Sequence, residues 1–311
     1  MRHVILLNCW MLAVAAQTQT RMPPRVEMRS PAPAPVVLSP DLFAFDNGTG
    51  RDQKLPLDQQ AAMLKATGYA GMAVYTGTER IPEVQKELQA RQLRLLSVYV
   101  HSFVDDTGPR IDPGIAKAIE QLRGRETMLL LTVRGHGAKA EDRAVENIRQ
   151  VADLAAKAGL RVCLYPHIGF YVETTPDAIR LIRKAGRGNV GTALNLYHTV
   201  EFHRQRCGMQ DFSFSQLLKD IVPDIYLVSI NGIAGSAITR LGEGDFNVAG
   251  FLRALNAAGY TGPIGLQCYQ VPGDIQNNLE KSYSAWKAMS EKLNFPDPEE
   301  MPRRPPIGRR R

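Results

Sequence analysis

Four of the six histidines in this 311-residue chain, His101, His136, His167 and His198, stand just where apolar runs end. Imidazole titrates near neutrality and either ring nitrogen can act, so such a cluster can pass protons at pH 7. It can equally hold zinc, copper or nickel. In "NVGTALNLYHTV", Asn189 to Val200, the polar end of the run presents Asn195 and His198 with no carboxylate beside them. Asn195, Asn231 and Gln267 each carry donors and an acceptor, which suits them to orienting hydroxyl-rich ligands. Tyr165, Tyr269 and Phe170 offer rings to cover an apolar ligand face. The same amides would also satisfy one another if they were merely buried. Arg134 supplies a fixed cation for a carboxylate or phosphate, or else an ion-pair partner for Asp46 or Glu173 at a rim. Asp46 is a general-base candidate, although the "NGTG" after it reads as a turn.

The elements that must position these groups repeat along the chain. Strand-like runs occur at "LFAFDNG", "AGMAVY", "RLLSVYVHS", "TMLLLTVRG", "RVCLYPH", "NVGTALNLYH", "IYLVSIN" and "PIGLQCYQ". Stretches with helical spacing follow them, among them "EDRAVENIRQVADLAAKAG" and "TTPDAIRLIRKAG". Eight such alternations in about 250 residues predict an α/β fold, a single (β/α)8 barrel, with its chemistry at the carboxyl ends of the strands. A doubly wound open sheet is the runner-up, but no Gly-rich phosphate loop follows the first strand. Alternation puts Cys163, Tyr165 and His167 on one strand face, and Gly265, Gln267 and Tyr269 on another.

The ends differ from this body. Arg2 and His3 precede an apolar run to Ala16, so residues 1–16 are expected to be a secretory signal peptide, and the protein secreted or periplasmic. That run is too short to span a membrane, and no later segment is long and apolar enough. A Pro-rich linker is expected over 17–40, the barrel over 41–294, and an unfolded basic tail over 295–311. The formal charge of +7 resides mostly in these ends, +3 in residues 1–40 and +2 in 295–311, which leaves the barrel +2. A nucleic-acid partner needs a basic groove, which a nearly neutral body does not provide. The three cysteines after the leader, Cys163, Cys207 and Cys268, have no paired spacing, so no disulfide framework is expected.

"LGEGDFNVAGFLRALNAAGYTGPIGLQ", "VCLYPHIGFYVETTPDAIRLI" and "NVGTALNLYH" resemble the last, fifth and sixth strand regions of the xylose isomerase-like barrel superfamily. That group holds sugar phosphate isomerases and epimerases and also the endonuclease IV type. The resemblance covers roughly residues 41–294 and implies chemistry on sugars or polyols, often with a divalent metal. It implies metal ligands Glu, Asp, His and Glu on strands five to eight, at Tyr165, Asn195, Val228 or Ser229, and Gln267 here. All four are replaced by groups without negative charge, so a degenerate metal site is expected. His198 matches the histidine of the family's Asp-x-x-His motif, and His101 and His136 resemble zinc-binding histidines of the endonuclease IV type.

These readings predict catalytic His167 and His198, with His101, Arg134, His136, Tyr165, Asn195, Asn231, Gln267 and Tyr269 binding substrate. The expected activity is isomerisation, epimerisation or a related elimination on a small-molecule carbohydrate, with no cofactor. A carbohydrate-binding barrel without catalysis is one alternative. Another is a metal-dependent enzyme with zinc or another divalent ion on a displaced His-rich site.

Overall fold

The computed structural model describes residues 38–39, 41–75, 77–105, 110–137, 140–210 and 212–293. The expected leader, most of the linker and the basic tail lie outside the described residues. In chain order the strands are β1 (Leu42–Phe45), β2 (Gly71–Val74), β3 (Arg94–Phe103), β4 (Met128–Arg134), β5 (Val162–Leu164), β6 (Val190–Asn195), β7 (Ile225–Ile230), β8 (Gly232–Ala234), β9 (Ala237–Thr239) and β10 (Ile264–Leu266). All but β8 and β9 pair in parallel and close into one barrel, in the order β1-β10-β7-β6-β5-β4-β3-β2. Parallel neighbours need long crossovers, which the helices supply. These are α1 (Leu57–Thr67), α2 (Ile81–Gln89), α3 (Ile115–Leu122), α4 (Ala140–Ala156), α5 (Thr175–Ala185), α6 (Leu196–Arg206), α7 (Phe214–Leu218), α8 (Val248–Ala257) and α9 (Ile275–Lys292). The expected single (β/α)8 barrel is the observed fold.

Two layers of packing follow from the pleat. One face of each strand meets the helices, where Leu129, Leu131, Leu164, Leu194 and Val228 join Ile148, Ile179 and Leu252 in the outer core. The other face fills the barrel with Phe43, Phe45, Met128, Leu130, Cys163, Tyr165, Ala193 and Leu227. Each large apolar side chain so buried contributes roughly 1.5–3 kcal/mol. Gly265 makes room for this filling, because a Cβ there would stand 2.6 Å from the Phe45 ring. Buried on both sides, such strands read in the sequence as unbroken apolar runs.

Helix ends explain much of the local geometry. Thr174 caps α5 through the backbone of Asp177, Pro176 sits in its first turn, and Gly186 ends it at φ 64°. Asn195 ends β6 and caps α6 in the same step, accepting from the His198 backbone at 3.0 Å. His198 therefore stands in the first turn of a helix, although "NVGTALNLYH" reads in the sequence as one strand-like run. His203 lies on α6 with its ring 3.9 Å from that of Phe212. A further departure is the antiparallel hairpin β8–β9, which interrupts the step from β7 to α8. Among the described residues no helix is long and apolar enough to cross a membrane. Cys163, Cys207 and Cys268 are free thiols, the first and last buried.

Candidate active site

At the carboxyl end of the barrel lies a cavity of about 570 Å³, a size usual for a small-molecule site. Of the ten residues expected to form the site, Arg134, Tyr165, His167, Asn195, His198, Gln267 and Tyr269 line it. His101, His136 and Asn231 do not. Asn231 is fully buried and donates to the carbonyl of Gly232 at 2.8 Å, because the chain turns there into the hairpin. His136 is exposed, two residues past the end of β4. His101 packs behind Tyr75, with ring centres 5.4 Å apart and Nδ1 2.7 Å from Thr132 Oγ1.

The floor is a closed hydrogen-bond network centred on Tyr165. Its hydroxyl accepts from Asn195 Nδ2 at 2.5 Å and from Gln267 Nε2 at 2.8 Å. Asn47 Nδ2 donates to Gln267 Oε1 in turn, and Asn47 Oδ1 accepts from the Cys268 backbone at 3.3 Å. Burial pushes the Tyr165 hydroxyl up to about 12, so it remains neutral. Ser229, opposite Asn195 in the β6–β7 register, is the inward residue of β7, while Val228 packs into the outer core. The four positions of the resembled metal centre therefore converge, but they carry a phenol, two amides and a hydroxyl that bind to one another or sit buried. These residues do not fit a hard divalent cation, which takes charged oxygen ligands. Among the described residues no group of three or more His, Cys, Asp or Glu side chains is placed to hold a metal. In particular, His101 and His136 do not assemble a displaced centre with His167 or His198.

Above this floor the two expected catalytic histidines come together, their ring centres 3.9 Å apart. His167 Nδ1 lies 2.6 Å from the carbonyl of Ile168. A carbonyl only accepts, so Nδ1 carries the proton and Nε2 keeps its lone pair. Phe170 stacks on the same ring at 4.3 Å and holds its plane. Burial, with the Arg134 charge nearby, lowers the His167 pKa, against an opposing effect from the Ile168 carbonyl. His198 is more deeply enclosed, its Nδ1 has no partner, and burial pushes it down to about 3. Both rings are thus neutral near pH 7, and His167 is the better placed base.

The low pKa of His198 has a consequence for stability. The unfolded chain protonates this residue near 6.5, whereas the native chain resists until about 3. Its contribution is therefore complete above pH 6.5 and is lost as pH falls towards 3. Between pH 7 and pH 5 the wild type should lose about 2 kcal/mol more than His198→Gln in urea unfolding. Equal losses in the two chains would mean that this imidazole is solvated in the native state.

Two carboxylates complete the cavity lining. Asp46, in the turn after β1, is nine-tenths buried, pairs with Arg51 at 2.9 Å and accepts from the Tyr75 backbone at 2.7 Å. Burial outweighs the Arg51 charge and raises its pKa to about 6. In the closed barrel β1 and β5 are separated by three strands in either direction, so Asp46 and His167 rise from opposite walls. Glu201 was not anticipated. It is buried on α6, accepts from Gln205 and Ser236 through Oε1, and leaves Oε2 without a partner. Its signal was the spacing from His198, three residues apart and so on one helix face, which is visible only once α6 is known to begin at Leu196. Tyr75 and Tyr269 stand at the rim, 44% and 47% exposed, as open aromatic surfaces.

A family model of the xylose isomerase-like TIM barrel matches residues 61–288. A 3-dehydroshikimate dehydratase of Pseudomonas aeruginosa is 31% identical over 128 residues, 40% of this chain and 20% of that protein. One of Pseudomonas putida is 26% identical over 133 residues, 42% of this chain and 21% of that protein. The chain thus spans about a fifth of the length of the curated relatives it matches. Among solved structures, a 3-keto-D-glucoside 4-epimerase from E. coli superposes with a TM-score of 0.65 at 16% identity, covering 80% of this chain and 99% of that one. A D-allulose 3-epimerase from Methylomonas sp. gives 0.64 at 17%, covering 82% and 99%. At such identities the structural likeness is one of fold. With the family model covering most of the barrel, this chain belongs to the xylose isomerase-like TIM barrel family.

Proposed function

We propose that the barrel catalyses proton transfer at carbon on a carbohydrate or carbohydrate derivative, leading to isomerisation, epimerisation or elimination, without the divalent metal usual in the family. The observation that carries the reading is His167, a neutral imidazole with its tautomer fixed by the Ile168 carbonyl, on the wall of the cavity opposite Asp46. His167 removes a proton from one face of the bound ligand, while His198, its ring packed against that of His167, stays neutral. Asp46 serves the other face, where its raised pKa lets it hold or release a proton close to neutrality. Asn195 and Gln267 form the floor beneath the ligand, and the rim tyrosines flank it. The names of the relatives support the reading: two are epimerases and two are dehydratases, reactions that move a proton at a carbon centre.

The test is incubation with panels of aldoses, ketoses, keto-sugars and sugar acids in deuterium oxide, followed by NMR. Deuterium should enter one C–H position of a substrate, at a rate unchanged by EDTA and dialysis. Exchange that stops on chelation and returns with added metal would overturn the metal-free reading. Binding without exchange or product would instead leave a carbohydrate-binding barrel.

A further inference from the structure

Arg134 is the last residue of β4 and half-buried in the cavity wall. Its guanidinium lies over the Phe170 ring, 4.6 Å from the centre, and its buried Nε has no hydrogen-bond partner. The two carboxylates that sequence would assign to it are both committed elsewhere. Asp46 pairs with Arg51 at 2.9 Å, and Glu173 takes Arg206 in two bonds of 2.5 and 3.0 Å. Among the described residues no carboxylate lies within ion-pair distance of Arg134. A half-buried cation with no carboxylate in reach among the described residues gains a counter-charge when a ligand brings an anion.

We propose that Arg134 is the carboxylate-recognition residue of the site, and that the ligand class is a hydroxylated carboxylic acid such as a uronate or an aldonate. The inference rests on the reading of the cavity as a carbohydrate site and adds the charge of the ligand. A guanidinium presents an edge of parallel N–H donors, which matches the two oxygens of a carboxylate. A phosphate dianion calls for a second positive charge, and the other arginine in the cavity lining, Arg51, is already neutralised by Asp46. Phe170 supports both Arg134 and His167, so one ring fixes the anion site relative to the base. Arg134 also disfavours protonation of His101 and His167. Among the described residues that leaves it the one fixed cation on this wall of the cavity.

Calorimetry on the full chain tests this with D-glucuronate, D-galacturonate and D-gluconate, each beside its neutral parent sugar, and with D-glucose 6-phosphate. At least one acid should bind the wild type ten times or more tightly than its parent. In Arg134→Gln that preference should fall to within twofold of unity, and in Arg134→Lys to an intermediate value, with circular dichroism confirming the fold of each. Equal binding of acids and parents to the wild type overturns the Arg134 assignment and leaves the carbohydrate reading in place. Tightest binding of the phosphate overturns the carboxylate class. Absence of binding by every acid and every neutral sugar overturns both readings together.

Discussion

His167→Gln is expected to slow deuterium exchange into the substrate by roughly 10²–10⁴, the usual worth of a positioned general base. Glutamine keeps a polar side chain of similar reach but has no basic lone pair at neutral pH, so the loss reports proton transfer and not shape. The native ring is held from two sides, by the Ile168 carbonyl at 2.6 Å and by Phe170 at 4.3 Å. Ordering of this kind is what makes one imidazole a base and leaves another as a spectator. The pH dependence follows from the directions of the shifts. His167 must be neutral to act, and its pKa lies below 6.5, so the acidic limb of the rate falls below that value. If Asp46 delivers the returning proton, the rate declines again as pH rises through about 6. A bell on the acid side of neutrality is the expected profile. A rate that is level from pH 5 to 8 would remove Asp46 from the transfer, and an unchanged rate in His167→Gln would remove the base.

Seven of the ten expected site residues line one cavity because a parallel barrel turns a one-dimensional property, the end of an apolar run, into a place in space. The property fails where the chain leaves the strand direction. His136 follows Gly135, whose φ of 97° turns the backbone away from the mouth. Asn231 follows β7 directly into the hairpin and is carried sideways. β3 runs ten residues, three times the length of β5, so an end-of-run residue on it does not stand level with one on its neighbours, and His101 meets Thr132 instead of the ligand space. Glu201 was harder still, and so was the enclosure of Asp46, though not its candidacy. "DNGTG" has the composition of a solvated turn, and nothing in it records that Asp46 is covered by Tyr75, 29 residues along the chain, as well as by the neighbouring Arg51. Composition identifies the type of a side chain, whereas its enclosure depends on long-range packing. The four altered metal positions show the opposite case. Their loss of charge was evident from residue types alone, but the replacement network could not be read, since it joins Tyr165 to partners 30 and 102 residues away.

That network makes Tyr165→Phe the substitution with the largest expected effect on stability. The ring contacts survive, with Tyr99 at 5.1 Å and Phe45 at 6.5 Å, so little packing changes. What is lost is one oxygen that two amide donors share. Asn195 and Gln267 are 3% and 5% exposed, and a stranded buried donor costs about 1–3 kcal/mol, so the two together should cost roughly 2–5 kcal/mol. Urea unfolding at pH 7 should show this as a lower midpoint with an unchanged slope. Coupling gives a stricter check. Gln267→Leu alone removes a donor that has an acceptor, but in the Tyr165→Phe background that donor is already stranded, and deleting it relieves part of the penalty. The second substitution should therefore cost less in the variant than in the wild type, by about 1 kcal/mol or more. Additive costs would mean that water or rotated amides restore the lost bonds. A floor that re-satisfies itself so readily would be adaptable enough to follow a ligand, whereas strong coupling would mark it as a rigid plug in the place where the family usually carries charge.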